Sequence, residues 1–116
     1  PRHTFDRHLR LLSSTDFDSV FRQGQRSADR FFTVLYRPNA LDMPRLGFAI
    51  SRKKVRHATD RNRLKRVVRE SFRIRHAALP PVDIVVLARD AAKDAANPEL
   101  FISLARHWSK LKEACL

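Results

Sequence analysis

Residues 59–73 carry a helix with a single way to sit in a folded protein. At about 100° per residue, Leu64, Val67, Val68, Ser71 and Phe72 fall on one stripe, spaced i, i+3, i+4, i+7 and i+8. Asn62, Lys65, Arg66, Arg69 and Arg73 fall on the opposite side. The stripe must lie on a core and the guanidinium groups in solvent. Thr59 or Asp60 serves as N-cap. Beyond the helix, Pro80-Pro81 enforces a break. Asp83-Ile84-Val85-Val86-Leu87-Ala88-Arg89 is then a nearly continuous apolar run bounded by charge, which reads as a central strand.

The remaining segments supply the other layers. Residues 1–12 are basic and poorly periodic, as in an extended arm. Ser13-Ser14-Thr15-Asp16 starts a helix and Gly24 stops it, with Phe17, Val20 and Phe21 on one face. So short a helix persists only if that face docks. Residues 25–37 read as a strand pair or one long bent strand, and Phe31 to Tyr36 are rich in β-branched and aromatic side chains. After a loop over 38–44, residues 45–51 form another strand. Asn97-Pro98-Glu99 gives an N-cap, a proline at N1 and an acid in the first turn. The helix it opens aligns Leu100, Phe101, Leu104, Trp108 and Leu111 on one buried stripe. The result is one α+β domain over 1–116, a sandwich in which the basic helix crosses between two strands.

Charge points to the partner. The net charge is +12, and residues 51–75 hold eleven basic and two acidic side chains, net +9 of that total. A merely solvated helix face interleaves signs as i, i+4 pairs. Here Glu70 is the only acid beyond the cap. Arg61 and Arg63 crowd the first turn, where the helix dipole disfavours cations. Folding alone is expected to gain nothing from that placement, whereas an anionic partner explains it. Ser51-Arg52-Lys53-Lys54-Val55-Arg56 leads more cations toward the same helix N-terminus, where orphan N–H groups also attract phosphate. Nucleic acid or another polyphosphate is the expected ligand. No apolar run approaches the roughly 18 residues of a membrane span. No signal-peptide pattern opens the chain, so no membrane partner and a cytoplasmic location are expected.

Catalytic groupings are missing from the sequence. His3, His8, His57, His76 and His107 are scattered without metal-ligand spacing, so no metal site is expected on the protein. Asp16 and Asp18 lie two apart on a helix and point away from each other. Cys115, the single cysteine, excludes an internal disulfide and sits next to the C-terminal residue. With only Gly24 and Gly47, a glycine-rich phosphate loop is absent. Phe17 and Phe21 admit two readings, as core residues or as the rim of a groove for unstacked bases.

These residues resemble the bacterial ribonuclease P protein subunit. Arg61-Asn62-Arg63, Leu64-Lys65-Arg66 and Arg69-Glu70-Ser71-Phe72-Arg73 match its signature. Leu9-Arg10-Leu11-Leu12, Asp16-Phe17, Val20-Phe21, Arg45-Leu46-Gly47, Ser51-Arg52-Lys53 and Asp83-Ile84-Val85-Val86 follow its order. Arg52 replaces a common lysine, and Arg56-His57 stands where many members carry a glycine, which bears on the turn before the helix. The resemblance implies a two-layer α/β sandwich like the second domain of the fifth small-subunit ribosomal protein. Its order would be α-β-β-β-α-β-α with a left-handed βαβ crossover, an exception to the usual hand. It also implies a protein that assists a catalytic RNA in removing 5′ leaders from precursor tRNA. Arg52, Lys53, Lys54, Arg61, Asn62, Arg63, Lys65, Arg66, Arg69 and Arg73 would face the catalytic RNA. Phe17 and Phe21 would line a cleft for the precursor tRNA leader. Mg2+ would be held mainly by the RNA, with no metal or catalytic residue assigned to the protein and no DNA partner. A ribosomal or assembly-type RNA-binding protein and a self-sufficient metal-dependent nuclease are the alternatives.

Overall fold

The computed structural model describes Arg10 and residues 13–115. The expected arm over 1–12 therefore lies outside the described residues, except for Arg10, which forms a parallel bridge to Leu46. The elements are α1 (Ser14–Gln23), β1 (Gln25–Ala28), β2 (Phe32–Pro38), β3 (Arg45–Phe48), α2 (Ala58–Arg75), β4 (Val82–Ala88) and α3 (Asn97–Ala114). Short 3₁₀ turns at His76–Ala78 and Asp90–Asp94 flank β4.

The strands form one sheet in the order β1-β2-β4-β3. β1 pairs antiparallel with β2, and β2 with β4. β3 and β4 run parallel with α2 as their crossover, and β4 is internal, as its apolar run requires. The segment over 25–37 is a strand pair because Asp29 folds the chain back. Its Oδ1 accepts the backbone N–H groups of Phe31 and Phe32, each at 2.9 Å, a side-chain mimic of a turn.

Pairing of Val34 with Val86 and of Tyr36 with Ile84 fixes the parity of the sheet. Phe32, Val34, Tyr36, Leu46, Ile84, Val86 and Ala88 join the core beneath α2 and α3. The predicted stripe of α2 is buried as a unit: Leu64, Val67, Val68, Ser71 and Phe72. Ser71 Oγ accepts the indole N–H of Trp108 at 2.8 Å, so the polar member of the stripe ties α2 to α3. Phe72 packs edge-on to Trp108 and is fully enclosed. Truncating it to alanine costs about 3–5 kcal/mol.

The helix boundaries depart slightly from expectation. α2 starts at Ala58 with His57 as a cap lacking a side-chain bond, so Thr59 and Asp60 are already helical. α3 likewise begins at Asn97, which puts Pro98 one position further in. Ser13 does cap α1, accepting from Thr15 and Asp16 N–H. Gly24 stops α1 without a left-handed turn; its backbone is extended at φ −74°. Glycine is needed for space, because a Cβ there would stand 2.3 Å from the carbonyl oxygen of Val20.

α1 packs on the opposite face of the sheet. Val20 meets Val85 in a second small cluster bordered by Phe17, Leu35, Ala49 and Leu87. The sandwich of sheet, α2 and α3 thus carries one extra helix that covers only part of the other face. On the α3 side, a buried polar node ties α3 to the edge strand β1, where His107 Nδ1 lies 2.8 Å from Ser27 Oγ and Nε2 lies 3.1 Å from Asp29 Oδ2. Ser103 donates to the same carboxylate.

Candidate nucleic-acid interface

The uncovered part of the sheet face is a cleft of about 390 Å³. Phe21 of α1 bounds it, Thr33 and Leu35 of β2 and Leu87 of β4 form its floor, and Arg26, Lys54 and Arg89 are charged members of its lining. Strand parity decides the floor: with Phe32, Val34 and Tyr36 committed to the core, Thr33 and Leu35 point the other way. Sequence reading left this parity open, and the alternating burial along β2 resolves it. Leu87 is the one residue of β4 left half-buried, because α1 stops short of it.

The aromatic pair is divided by this arrangement. Phe17 is half-buried against Val20 and Val85, where it seals α1 to the sheet. Phe21 lines the cleft with 47% of its surface exposed. The i, i+4 spacing alone gave both the same status; their packing against the sheet separates them.

Arg45 ties α1 to the sheet. Its guanidinium donates through Nε and Nη2 to the two carboxylate oxygens of Asp83, each at 2.8 Å, and Nη2 also lies 3.2 Å from Asp16 Oδ2 on α1. The Asp83 carboxylate raises the pKa of Arg45 above its ordinary value, against the opposing effect of burial. Asn39 Nδ2 donates to Asp83 Oδ1 at 2.9 Å. This clamp carried no sequence signal, since Asp16, Arg45 and Asp83 come from three distant segments.

The cations of α2 fall into two groups. Arg61 and Arg63 turn back into the protein. Arg61 Nη1 donates to the carbonyls of Val55 at 3.0 Å and Arg56 at 2.8 Å. Arg63 donates to the carbonyls of Lys93 at 2.9 Å, Ala95 at 3.2 Å and Ala92 at 3.4 Å, and to Asn97 Oδ1 at 2.7 Å. The expectation that folding gains nothing from these two arginines is therefore corrected. They close the loop before α2 and the 3₁₀ turn before α3, where backbone acceptors outweigh an unfavourable dipole. Arg73 pairs with Glu70 one turn back, and Arg69 lies 5.4 Å over the Phe48 ring.

Arg52, Lys53, Lys54, Lys65 and Arg66 differ from these. Among the described residues their side chains make no hydrogen bond or ion pair, and all but half-buried Lys65 are exposed. Asn62 is exposed beside them. Lys54 lines the cleft instead of standing over α2. Among the described residues no group of three or more His, Cys, Asp or Glu side chains is placed to hold a metal ion. No helix among them is long and apolar enough to cross a membrane.

The fold that carries this cleft and helix is one that solved proteins share. The solved structure of an RNase P protein mutant from Staphylococcus aureus superposes with TM-score 0.83 at 34% identity, covering 91% of this chain and 89% of that one. The RNase P protein from Thermotoga maritima gives TM-score 0.78, also at 34% identity, over 87% and 96% of the two chains. The ribonuclease P protein component of Methylococcus capsulatus is 50% identical over 111 residues, or 96% of this chain and 87% of that protein. That of Nitrosococcus oceani is 45% identical over 96% and 93% of the two chains. The Ribonuclease P family model matches residues 5–112, so that helix, cleft and clamp all fall within the match, and the chain belongs to the ribonuclease P protein family.

Proposed function

We propose that this chain binds the catalytic RNA of ribonuclease P through α2 and the segment before it. The cleft receives the single-stranded 5′ leader of precursor tRNA. The observation that carries this reading is the set of five nominated cations, Arg52, Lys53, Lys54, Lys65 and Arg66, which the fold does not use. A family member keeps such charges unpaired in order to neutralise a polyanion. The cleft supports the second half of the reading. Its apolar floor and the Phe21 ring suit base stacking, and its cations suit a phosphate backbone.

Cleavage chemistry belongs to the RNA in this reading. Mg2+ held mainly by the RNA activates water for hydrolysis of the phosphodiester. The protein's cations stabilise phosphates equally in the ground and transition states, which strengthens binding without accelerating the chemical step. They relieve repulsion between two RNAs and so lower the magnesium needed. Bacterial members of such a complex work in the cytoplasm.

The test compares the protein alone, a bacterial ribonuclease P RNA alone, and both together, acting on precursor tRNA at moderate magnesium. Only the RNA-containing reactions should cleave, and the mixture should be faster. Cleavage by the protein alone would assign the chemistry to the chain. No enhancement in the mixture, with binding to ribosomal RNA instead, would assign it to ribosome assembly. Five phosphate contacts predict that log K falls with log salt at a slope of about −3.5 to −4.5. A flat salt response would remove the electrostatic basis of the reading.

A further inference from the structure

A second pocket lies between α2 and α3, away from the cleft. It has a volume of about 250 Å³ and is lined by Arg63, Arg66, Val67, Glu70, Asn97 and Phe101. That is below the about 300–1,000 Å³ of sites for drug-sized ligands. Phe101 belongs to the apolar stripe of α3, yet it remains half-buried where its stripe partners Leu100, Leu104 and Leu111 are fully enclosed. Its ring is left facing the pocket, next to buried Val67.

The polar groups around this apolar surface have fixed roles. Asn97 Oδ1 accepts from Arg63, which leaves the amide Nδ2 as a donor with no partner among the described residues. Glu70 is oriented by Arg73, whose hydrogen bonds hold its carboxyl below the ordinary value and so keep it an acceptor. Arg66 brings an unengaged cation to the lining. The site thus combines an aromatic plane, one donor, one acceptor and a positive charge. A nucleobase is the apolar plane that arrives attached to a phosphate.

We propose that this pocket takes one unstacked nucleobase of the RNA bound on α2, stacked on Phe101, with its exocyclic amino group donating to Glu70 and its acceptor facing Asn97. Adenine and cytosine carry such an amino group beside an unprotonated ring nitrogen that can accept from Asn97. Uracil has no exocyclic amino group and offers the carboxylate only its ring N3–H. The inference rests on the reading of α2 as an RNA-binding face. It adds a contact that reads base identity to a surface whose other contacts read only phosphate.

The probe is the ribonuclease P RNA of Methylococcus capsulatus, titrated with wild-type protein and with the Phe101→Leu, Phe101→Trp and Asn97→Asp variants over a range of salt. Phe101→Leu keeps an apolar side chain and loses the plane. Asn97→Asp keeps the acceptor for Arg63 and replaces the donor with a carboxylate that suits a helix N-terminus. Both should bind about 5- to 100-fold more weakly, Phe101→Leu with an unchanged salt slope because it alters no charge. Phe101→Trp should bind like wild type. Dimethyl sulfate should find at least one adenine or cytosine protected in the wild-type complex and reactive in the Phe101→Leu complex. Binding by both variants within about twofold of wild type would overturn the pocket assignment, as would protection that survives in the Phe101→Leu complex. If wild type itself binds without salt dependence, the reading of α2 fails first, and that outcome is distinct from the others.

Discussion

Arg63 and Arg66 are three residues apart on one helix, yet replacing them should have opposite consequences. Arg63→Ala removes four hydrogen bonds to the segment that enters α3. The two short ones, to Asn97 Oδ1 at 2.7 Å and Lys93 O at 2.9 Å, reach exposed acceptors that regain water. The part-buried carbonyls of Ala92 and Ala95 are reached only at 3.4 and 3.2 Å. At about 0.5–1.5 kcal/mol net per bond, discounted for exposure and length, the loss comes to about 2 kcal/mol. For a chain of this length each kcal/mol moves the melting temperature by about 3–5 °C, so a drop of about 6–10 °C is expected. Arg66→Ala, with no partner to lose, should stay within about 0.5 kcal/mol of wild type. In RNA titrations the order reverses. Arg66→Ala should shallow the log K against log salt slope by about 0.7–0.9, while folded Arg63→Ala should leave it close to wild type. Arg63→Lys keeps the charge without the fork and should melt like Arg63→Ala. Equal melting temperatures for Arg63→Ala and wild type, together with equal loss of slope in both alanine variants, would refute the division of these cations.

Phe21→Ala should weaken binding of leader-bearing precursor tRNA by about 1–3 kcal/mol with mature tRNA unaffected and the melting temperature held; Phe17→Ala should lower the melting temperature instead. Gly24→Ala forces a Cβ against the Val20 carbonyl and should cost about 1–3 kcal/mol in urea unfolding, and unchanged stability would show that α1 has room to shift. Burial pushes the His107 imidazole below its ordinary value, against the opposing pull of Asp29. The unfolded chain therefore takes up that proton first, near pH 6.5, and stability is lost as pH falls from there toward the depressed folded value. Asp29 stays ionised throughout this window: burial alone would raise its carboxyl, but bonds from Ser103, Phe32 and Phe31 hold it below the ordinary value. Melts at about pH 7.5 and about pH 5.5 should differ for wild type and much less for His107→Gln.

The sequence made the α2 stripe legible because a 3.6-residue period of four apolar residues and Ser71 has one packing solution, and all five are buried. β4 was legible for a similar reason, as a run with no polar face must be internal. What stayed hidden was where long side chains end. A count of charge treats Arg61, Arg63, Lys65 and Arg66 as equivalent cations, but a guanidinium reaches far enough to choose between solvent and a carbonyl on another segment. Only the approach of the 3₁₀ turn at Asp90–Asp94 to the start of α2 makes that choice for Arg63. The floor of the cleft was hidden by one residue of register. Once Phe32 is known to face α3, the outward direction of Thr33 and Leu35 follows without further information.

The clamp of Arg45 on Asp16 and Asp83 sits near one end of α1, and Gly24 joins the other end directly to β1. A helix held at both ends is a fixed jaw. Its distance from the sheet is set by an ion triad and a backbone contact, neither of which stretches by a fraction of a turn. The cleft therefore acts as a gauge of thickness. In the proposed reading, a single strand whose bases lie flat on Leu35 and Leu87 passes under Phe21. In that reading the leader is received without a moving part, by a helix that Arg45 ties to the sheet.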